Sequence, residues 1–370
     1  MKVLLTGGGT GGHIYPAIAL ANCIKKNRPD AEIAFVGTSR GIENKLVPAE
    51  GYPLYHVEIR GLRRSLSLEN LRTAAMIPRA LHDARRLISE FQPDLAIGTG
   101  GYVCWPIIRA AASAHIPTAL HESNAVPGVA VKMLESRVDR IFCNFEEPMQ
   151  YLHHPEKAMR VGNPLKGGFT EIDREQARAE LGISGKYRYF ILSCGGSLGA
   201  QRVNEEVLAL MRDYSAHHPE VLHIHATGSI EWEDAQKMYR DYGLTDCENL
   251  QLVEYIYDMP RKMAAADLVI NRAGAMTLSE LAMMGKACIL IPSPNVTNDH
   301  QYKNAHELEK KGAAQVFRES ELKAGALTEA VADLISDRPR RESMQKAIRA
   351  FAVPDSAQLL YTELMKLIRH

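Results

Sequence analysis

The sequence carries no net charge to interpret: 44 Lys and Arg balance 44 Asp and Glu over 370 residues. A balanced chain points neither to nucleic acid nor to a general anionic surface, so any such role must come from a local patch. Paired cysteines are also missing. Cys23, Cys104, Cys143, Cys194, Cys247 and Cys288 are scattered with no C-x-x-C spacing, which predicts reduced thiols rather than disulfides or a zinc site. No apolar run is long enough to span a bilayer, and Met1-Lys2 leads straight into a strand pattern rather than a signal-like segment. The expectation is a soluble or peripheral protein. No P-loop and no kinase signature occurs, which removes two common catalytic schemes.

What is present is ordinary globular composition, 46% apolar and 24% charged, in a chain long enough for two domains. The first half alternates strand patterns (Lys2–Leu5, Glu32–Val36, Leu54–Glu58, Leu95–Gly98, Thr118–His121, Arg140–Cys143) with helical ones, notably Ile14–Lys26 and Arg79–Phe91. The second half repeats the scheme, with strand patterns at Tyr189–Ser193, Val221–Ala226, Leu250–Val253, Leu268–Asn271 and Ala287–Ile291. Such alternation predicts an α/β fold, two Rossmann-like domains with parallel sheets covered on both faces. The Gly- and Pro-rich run 161–168 sets the expected division at residues 1–163 and 164–353. Pro354 interrupts the last helices, and the segment 354–370 is expected to pack back on the first domain.

The organising motif is Thr6-Gly7-Gly8-Gly9-Thr10-Gly11-Gly12-His13, between an apolar run and a helix. A strand turning through glycines into a helix presents bare N–H groups suited to an anion. Gly7, Gly9 and Gly12 satisfy G-x-G-x-x-G, so a nicotinamide or flavin enzyme is a first rival. That fingerprint wants an acidic residue ending the second strand, and this one ends Val36-Gly37-Thr38. A tight turn alone would not need the five glycines found between positions 7 and 12. The second half looks better equipped for a nucleotide. Gly195-Gly196-Ser197 offers donors to a phosphate, Gly274 to Thr277 offers a second helix start, and Glu280 lies one turn on, within reach of ribose hydroxyls. Alone, Glu280 reads as a capping or surface carboxylate; beside two glycine turns it reads better as a ligand. His13 could exchange a proton near neutral pH or could be a backbone-bonded turn histidine. His121 and Glu122 beside Asn124 could equally be a satisfied buried group. No His/Asp/Glu cluster has metal spacing and no D-x-D occurs, against sugar transfer relying on a carboxylate-held divalent metal. Residues 60–86 hold seven arginines against Glu69 and Asp83. Interleaved with apolar residues, their N-terminal part suits an anionic lipid surface.

In the order of these motifs the chain resembles the MurG family, N-acetylglucosaminyltransferases that convert lipid I to lipid II in peptidoglycan synthesis. The resemblance rests on Thr6 to Ala17, Gly98 to Tyr102, His121 to Asn124, Val161 to Pro164, Gly195 to Ala200 and Arg272 to Glu280. It implies the GT-B fold, two Rossmann-like domains facing across a cleft, and a peripheral protein on the cytoplasmic side of the cell membrane. The implied donor is UDP-N-acetylglucosamine. The implied acceptor is lipid I, undecaprenyl-pyrophosphoryl-muramoyl-pentapeptide, and no cofactor, metal or nucleic acid is implied. Carried over by residue, Thr10, Gly11, Gly12 and Asn124 line the acceptor side, and Ser197 meets the donor phosphates. Ile256 meets the uracil by its backbone, Ala275, Met276, Thr277, Leu278, Ser279 and Glu280 carry the phosphate- and ribose-facing helix start, and Gln301 reaches the sugar hydroxyls. Two positions depart from the family pattern: Lys166 stands where Arg is common, and His300 precedes Gln301 where a second Gln is common. Inversion by one displacement is implied, with the muramoyl 4-hydroxyl attacking as UDP leaves. His13 is the candidate general base, with Glu122 or water as the alternative. The rival functions are another GT-B transferase, a UDP-sugar epimerase, and a non-catalytic nucleotide-sugar-binding module.

Overall fold

The structure, a computed structural model, describes residues 1–61, 68–169 and 172–368. It divides into two compact units, residues 1–166 with 353–370, and residues 167–352. In the first unit the order is β1 (Lys2–Gly7), α1 (Gly11–Asn27), β2 (Glu32–Gly37), α2 (Glu43–Ala49), β3 (Leu54–His56), α3 (Leu68–Phe91), β4 (Leu95–Gly100), α4 (Cys104–Ser113), β5 (Thr118–Glu122), α5 (Val129–Leu134), β6 (Arg140–Cys143) and β7 (Ala158–Arg160). The second unit contains α6 (Arg174–Glu180), β8 (Tyr189–Cys194), α7 (Gln201–Asp213), β9 (Val221–Ala226), α8 (Trp232–Asp241), β10 (Leu250–Val253), α9 (Met259–Ala265), β11 (Leu268–Asn271), α10 (Ala275–Met284), β12 (Ala287–Leu290), α11 (His300–Lys310), β13 (Gln315–Val316), α12 (Ala326–Ser336) and α13 (Arg338–Arg349). The last helix, α14 (Ser356–Ile368), belongs to the first unit.

Each unit is a doubly wound parallel sheet. The orders are β3-β2-β1-β4-β5-β6-β7 and β10-β9-β8-β11-β12-β13, as the alternation of strand and helix patterns predicts. Strands buried on both faces read as continuous apolar runs, and period-two alternation sorts their side chains. Leu4, Ala34, Val36 and Ala96 pack toward α3 and α4, through Ala84, Ile88 and Ile107. Val3, Leu5, Phe35 and Ile97 pack the other way, onto Ile14 and Ile18 of α1 and Leu360 and Leu364 of α14. In both sheets the strand order reverses beside the first strand, between β1 and β4 and between β8 and β11. Loops at the carboxyl ends of these strands are where such sheets bind ligands. None of the described helices is long and apolar enough to cross a membrane.

Candidate functional site

At the carboxyl end of β1 the glycine loop folds over the loop after β4. Gly8 N–H donates to Gly100 O at 3.3 Å, and Thr99 Oγ1–H donates to His13 O at 2.7 Å. His13 sits in the first turn of α1, and its Nδ1 lies 3.0 Å from Gly8 O and 3.3 Å from Thr10 Oγ1. A carbonyl only accepts, so Nδ1 carries the proton and Nε2 keeps the lone pair. The imidazole lies against Gly100, where a Cβ would collide with the ring and where φ is +124°. Packing around the imidazole lowers its pKa; the bond to Gly8 and the charge of Glu43 act in the opposite sense. Thr10, Gly11 and Gly12 lie at the N-terminus of α1. The amides of Gly11 and Gly12, in its first turn, have no i−4 carbonyl within the helix.

Glu43 escapes sequence reading. It is fully buried at the start of α2. Its Oε2 accepts Gly9 N–H at 3.1 Å, and its Oε1 accepts Thr38 N–H at 2.9 Å and Thr38 Oγ1–H at 3.0 Å. It fills the space left by three glycines: a Cβ on Gly8, Gly37 or Gly41 would meet its carboxyl group or its Cγ. One N–H of the glycine loop is therefore spent on an internal carboxylate, which narrows the anion site expected there to the first turn of α1. A signal existed in glycines flanking both strand ends, but an acid opening a helix ordinarily reads as a dipole partner.

At the end of β5, Glu122 is buried and acts as a loop organiser. Oε1 accepts Asn124 N–H at 2.9 Å and Asn124 Nδ2–H at 3.1 Å, and Oε2 accepts Gly128 N–H at 2.7 Å. A carboxylate so engaged is poorly placed to take a proton from a substrate. His121, also buried, donates from Nε2 to Gly162 O at 2.9 Å, and burial lowers its pKa to about 4. Asn124 stands at the same loop, half-buried. Lys166 is elsewhere: its Nζ pairs with Glu50 Oε1 at 2.7 Å, just past the C-terminal end of α2 and away from Glu43. The structure does not bring Lys166 to the loops at the carboxyl ends of the strands.

In the second unit the turn after β8 rests on the turn after β9. A Cβ on Gly199 would strike Thr227 O, and one on Gly228 would strike the Gly199 backbone; both glycines have positive φ, +93° and +81°. Ser197 is exposed at this turn, and its carbonyl accepts Ser229 N–H at 3.4 Å. Helix α10 starts after Gly274, with Ala275 and Leu278 buried and Met276, Thr277, Ser279 and Glu280 half-buried. Burial raises the pKa of Glu280 to about 7, and among the described residues it has no hydrogen-bond or ion-pair partner. Its charge acts on the Cys194 thiol at the end of β8, so it stands next to the first glycine turn. Ile256 anchors the loop after β10 with a buried side chain between exposed Tyr255 and Tyr257, whose rings meet edge-on at 5.0 Å. Gln301, on the first turn of α11, accepts Ser293 N–H at 2.9 Å through Oε1, which leaves its amide hydrogens as donors. The turn before it holds two consecutive non-glycine residues at positive φ, Asn298 at 60° and Asp299 at 53°, a sparsely populated geometry that concentrates at ligand sites.

A buried histidine chain has no sequence signal. Ser193 Oγ joins His223 Nε2 and His225 Nδ1, each at 2.9 Å, and His225 Nε2 joins Asn204 Oδ1 at 3.1 Å. This chain is buried between β8, β9 and α7 and ends on Thr227 O through Asn204 Nδ2, at 3.0 Å. Arg272 is locked to Glu319 and to Ile291 O, fixing the loop before α10. Among the described residues no group of His, Cys, Asp and Glu is arranged to hold a metal.

The described site is matched by two halves of one family. The glycosyltransferase family 28 N-terminal domain model matches residues 3–143, and the C-terminal domain model of that family matches residues 190–360. A curated relative from Acetivibrio thermocellus, the UDP-N-acetylglucosamine–N-acetylmuramyl-(pentapeptide) pyrophosphoryl-undecaprenol N-acetylglucosamine transferase, is 41% identical over 99% of this chain and 98% of its own. The chain belongs to the MurG family of glycosyltransferases. The solved MurG of Acinetobacter baumannii has a TM-score of 0.79 at 27% identity, covering 99% of both chains. MurG's architecture is shared more widely. A Neisseria meningitidis UDP-GlcNAc 2-epimerase, solved with UDP-GlcNAc bound, has a TM-score of 0.67 at 15% identity, over 99% of this chain and all of that one. That likeness is one of fold alone.

Proposed function

We infer that the chain transfers N-acetylglucosamine from UDP-N-acetylglucosamine to the 4-hydroxyl of the muramoyl sugar of lipid I, releasing lipid II and UDP. The observation that carries this reading is the full-length identity to curated transferases of that name, through both family-28 halves. An epimerase shares the fold but not that identity.

In this reading the donor is held by the second unit. What supports it is a carboxylate unpartnered among the described residues, Glu280, beside a helix start and a glycine turn. Glu280 accepts the ribose hydroxyls, the N-terminus of α10 and the loop around Ser197 take the diphosphate, Ile256 meets the uracil, and the amide of Gln301 donates to the sugar. As the acceptor oxygen forms its bond to the anomeric carbon, the bond to the β-phosphate oxygen breaks and its electron pair leaves with UDP. The hydroxyl proton passes to His13 Nε2, giving an imidazolium. First-turn amides and Ser197 stabilise the charge that develops on the leaving phosphate. Lowered basicity keeps His13 unprotonated at neutral pH, ready to accept.

The decisive experiment is radiolabel transfer from UDP-N-acetylglucosamine to a lipid I analogue, with and without chelator. UDP release that needs no acceptor, or binding with no turnover, would point instead to an epimerase or a binding module. The protein works at the cytoplasmic face of the membrane in this reading, through exposed Arg79, Arg85 and Arg86 of α3. Arg60 is also exposed, while Arg63, Arg64 and the Arg72 side chain lie outside the described residues. Salt-sensitive binding to anionic but not neutral vesicles is expected.

A further inference from the structure

The carbonyl that holds His13 and the N–H that holds Glu43 are the two ends of one peptide group. His13 Nδ1–H donates to Gly8 O at 3.0 Å, and Gly9 N–H donates to Glu43 Oε2 at 3.1 Å. We propose that Glu43 is the positioning carboxylate of His13, acting through the Gly8–Gly9 peptide. The proposal rests on the reading of His13 as general base.

In a histidine–carboxylate pair the acid fixes the tautomer, aims the ring and stabilises the imidazolium. Here one peptide stands between the partners. A peptide group is conjugated from N–H to C=O, and a carboxylate pulling on its N–H makes its oxygen a stronger acceptor. Glu43 thus strengthens the bond that keeps the proton on Nδ1 and the lone pair on Nε2. When the acceptor hydroxyl gives its proton to Nε2, the Glu43 side chain stabilises the new positive charge. Its seat is built for this group: it is fully buried, walled by Gly8, Gly37 and Gly41, and all three of its bonds come from donors. Other titratable groups on the surrounding elements are otherwise engaged. The Cys104 thiol on α4 donates to Thr6 O at 3.0 Å and Gly100 O at 2.9 Å, and the Glu122 oxygens serve Asn124 and Gly128. The Tyr15 ring on α1 lies against Gly11.

The test compares Glu43→Gln and Glu43→Asp in the full chain, with folding checked by circular dichroism. Three quantities are read: the His13 titration by NMR of its ring carbons, the pH dependence of kcat, and KM for UDP-N-acetylglucosamine. With Gln, which removes the charge at nearly constant volume, His13 is expected to titrate at lower pH and kcat to fall about 10- to 100-fold. The donor KM should stay within about twofold, because the donor-binding residues lie in the other unit. With Asp, whose shorter arm draws the carboxylate away from Gly9 N–H, the titration should move the same way by less, and kcat should fall less but by more than about twofold. An unchanged or raised His13 titration in the Gln variant, or a kcat within about twofold of the parent, overturns the proposal. Should the Gln variant not fold, parent-like kcat and titration in the Asp variant overturn it instead. If the titration moves as expected but the acid limb of kcat does not follow, Glu43 keeps its role and the base assignment of His13 falls.

Discussion

Gly100 has the tightest requirement of any residue near the candidate base. Its φ of +124° and the His13 ring over its Cα leave no room for a methyl group. Gly100→Ala must therefore displace the ring or the loop, at a strain of about 1–3 kcal/mol. The expected outcome is a folded protein with a Tm lowered by several degrees and kcat reduced about 100-fold, since a shift near 1 Å is enough. Steady-state kinetics and a thermal melt check both, and a parent-like kcat would remove His13 from the chemistry. Glu280 offers a second single-residue test. Burial raises its pKa to about 7, so folding carries a cost above the unfolded-state value near 4.5, complete once pH passes the folded value. Glu280→Gln should raise the Tm at pH 8, leave it unchanged near pH 4.5, and weaken UDP binding about tenfold or more through lost acceptors. Calorimetry at the two pH values decides, and a variant that binds UDP normally would sink the ribose role.

Strand β9 carries two inward histidines at alternate positions, His223 and His225, both fully buried. Burial lowers both pKa values, that of His225 to about 4. In the unfolded chain each titrates near 6.5, so below that pH the unfolded state gains protons that the native state refuses. Stability should therefore fall from about pH 6.5 toward pH 4, by about 1.4 kcal/mol per pH unit for each such histidine. His225→Gln should cost stability at pH 7, by loosening its bonds to Ser193 and Asn204, yet flatten the acid slope by one proton. Thermal melts across that range measure the slope, and an unaltered slope contradicts the burial argument. The same histidines mark a limit of sequence reading. Alternating His-Ile-His in a strand looks half-solvated, and only β10 and α7 packed around it make it buried. Long strands such as β1, β2 and β8 were legible because apolar runs ended in glycines. Short edge strands β7 and β13 were not, having two or three residues each. Helix α3 begins at Leu68 and passes through Pro78, where the pattern alone suggested a start at Arg79. The glycine turns around His13, Ser197 and Glu280 stood out because their residue types have few other uses. Glu43 did not, because its partners are backbone amides brought in by the fold.

At the scale of the whole molecule the chain leaves its first unit and returns to finish it. Residues 353–370 belong with 1–166, and α14 lays Leu360, Leu364 and Met365 on the α1 face of the first sheet. The return is seated closely: a Cβ on Gly162, whose φ is +76°, would lie 2.6 Å from Val353 Cβ, and Ser356 Oγ–H donates to Asn163 O at 2.6 Å. A core leucine cut to alanine costs about 2–5 kcal/mol. Losing three such side chains at once approaches the whole stability of an ordinary domain, about 5–15 kcal/mol. A chain ended at Ala352 is expected to lose the first unit and keep the second. Limited proteolysis with mass spectrometry should then show residues 1–166 digested and 167–352 protected, with UDP affinity within about twofold of the full chain. Leu364→Ala, the milder change, should lower the melting temperature of the first unit and leave UDP binding alone. Equal protease resistance of residues 1–166 in the full and shortened chains would show that α14 is an accessory to the first unit rather than part of its core.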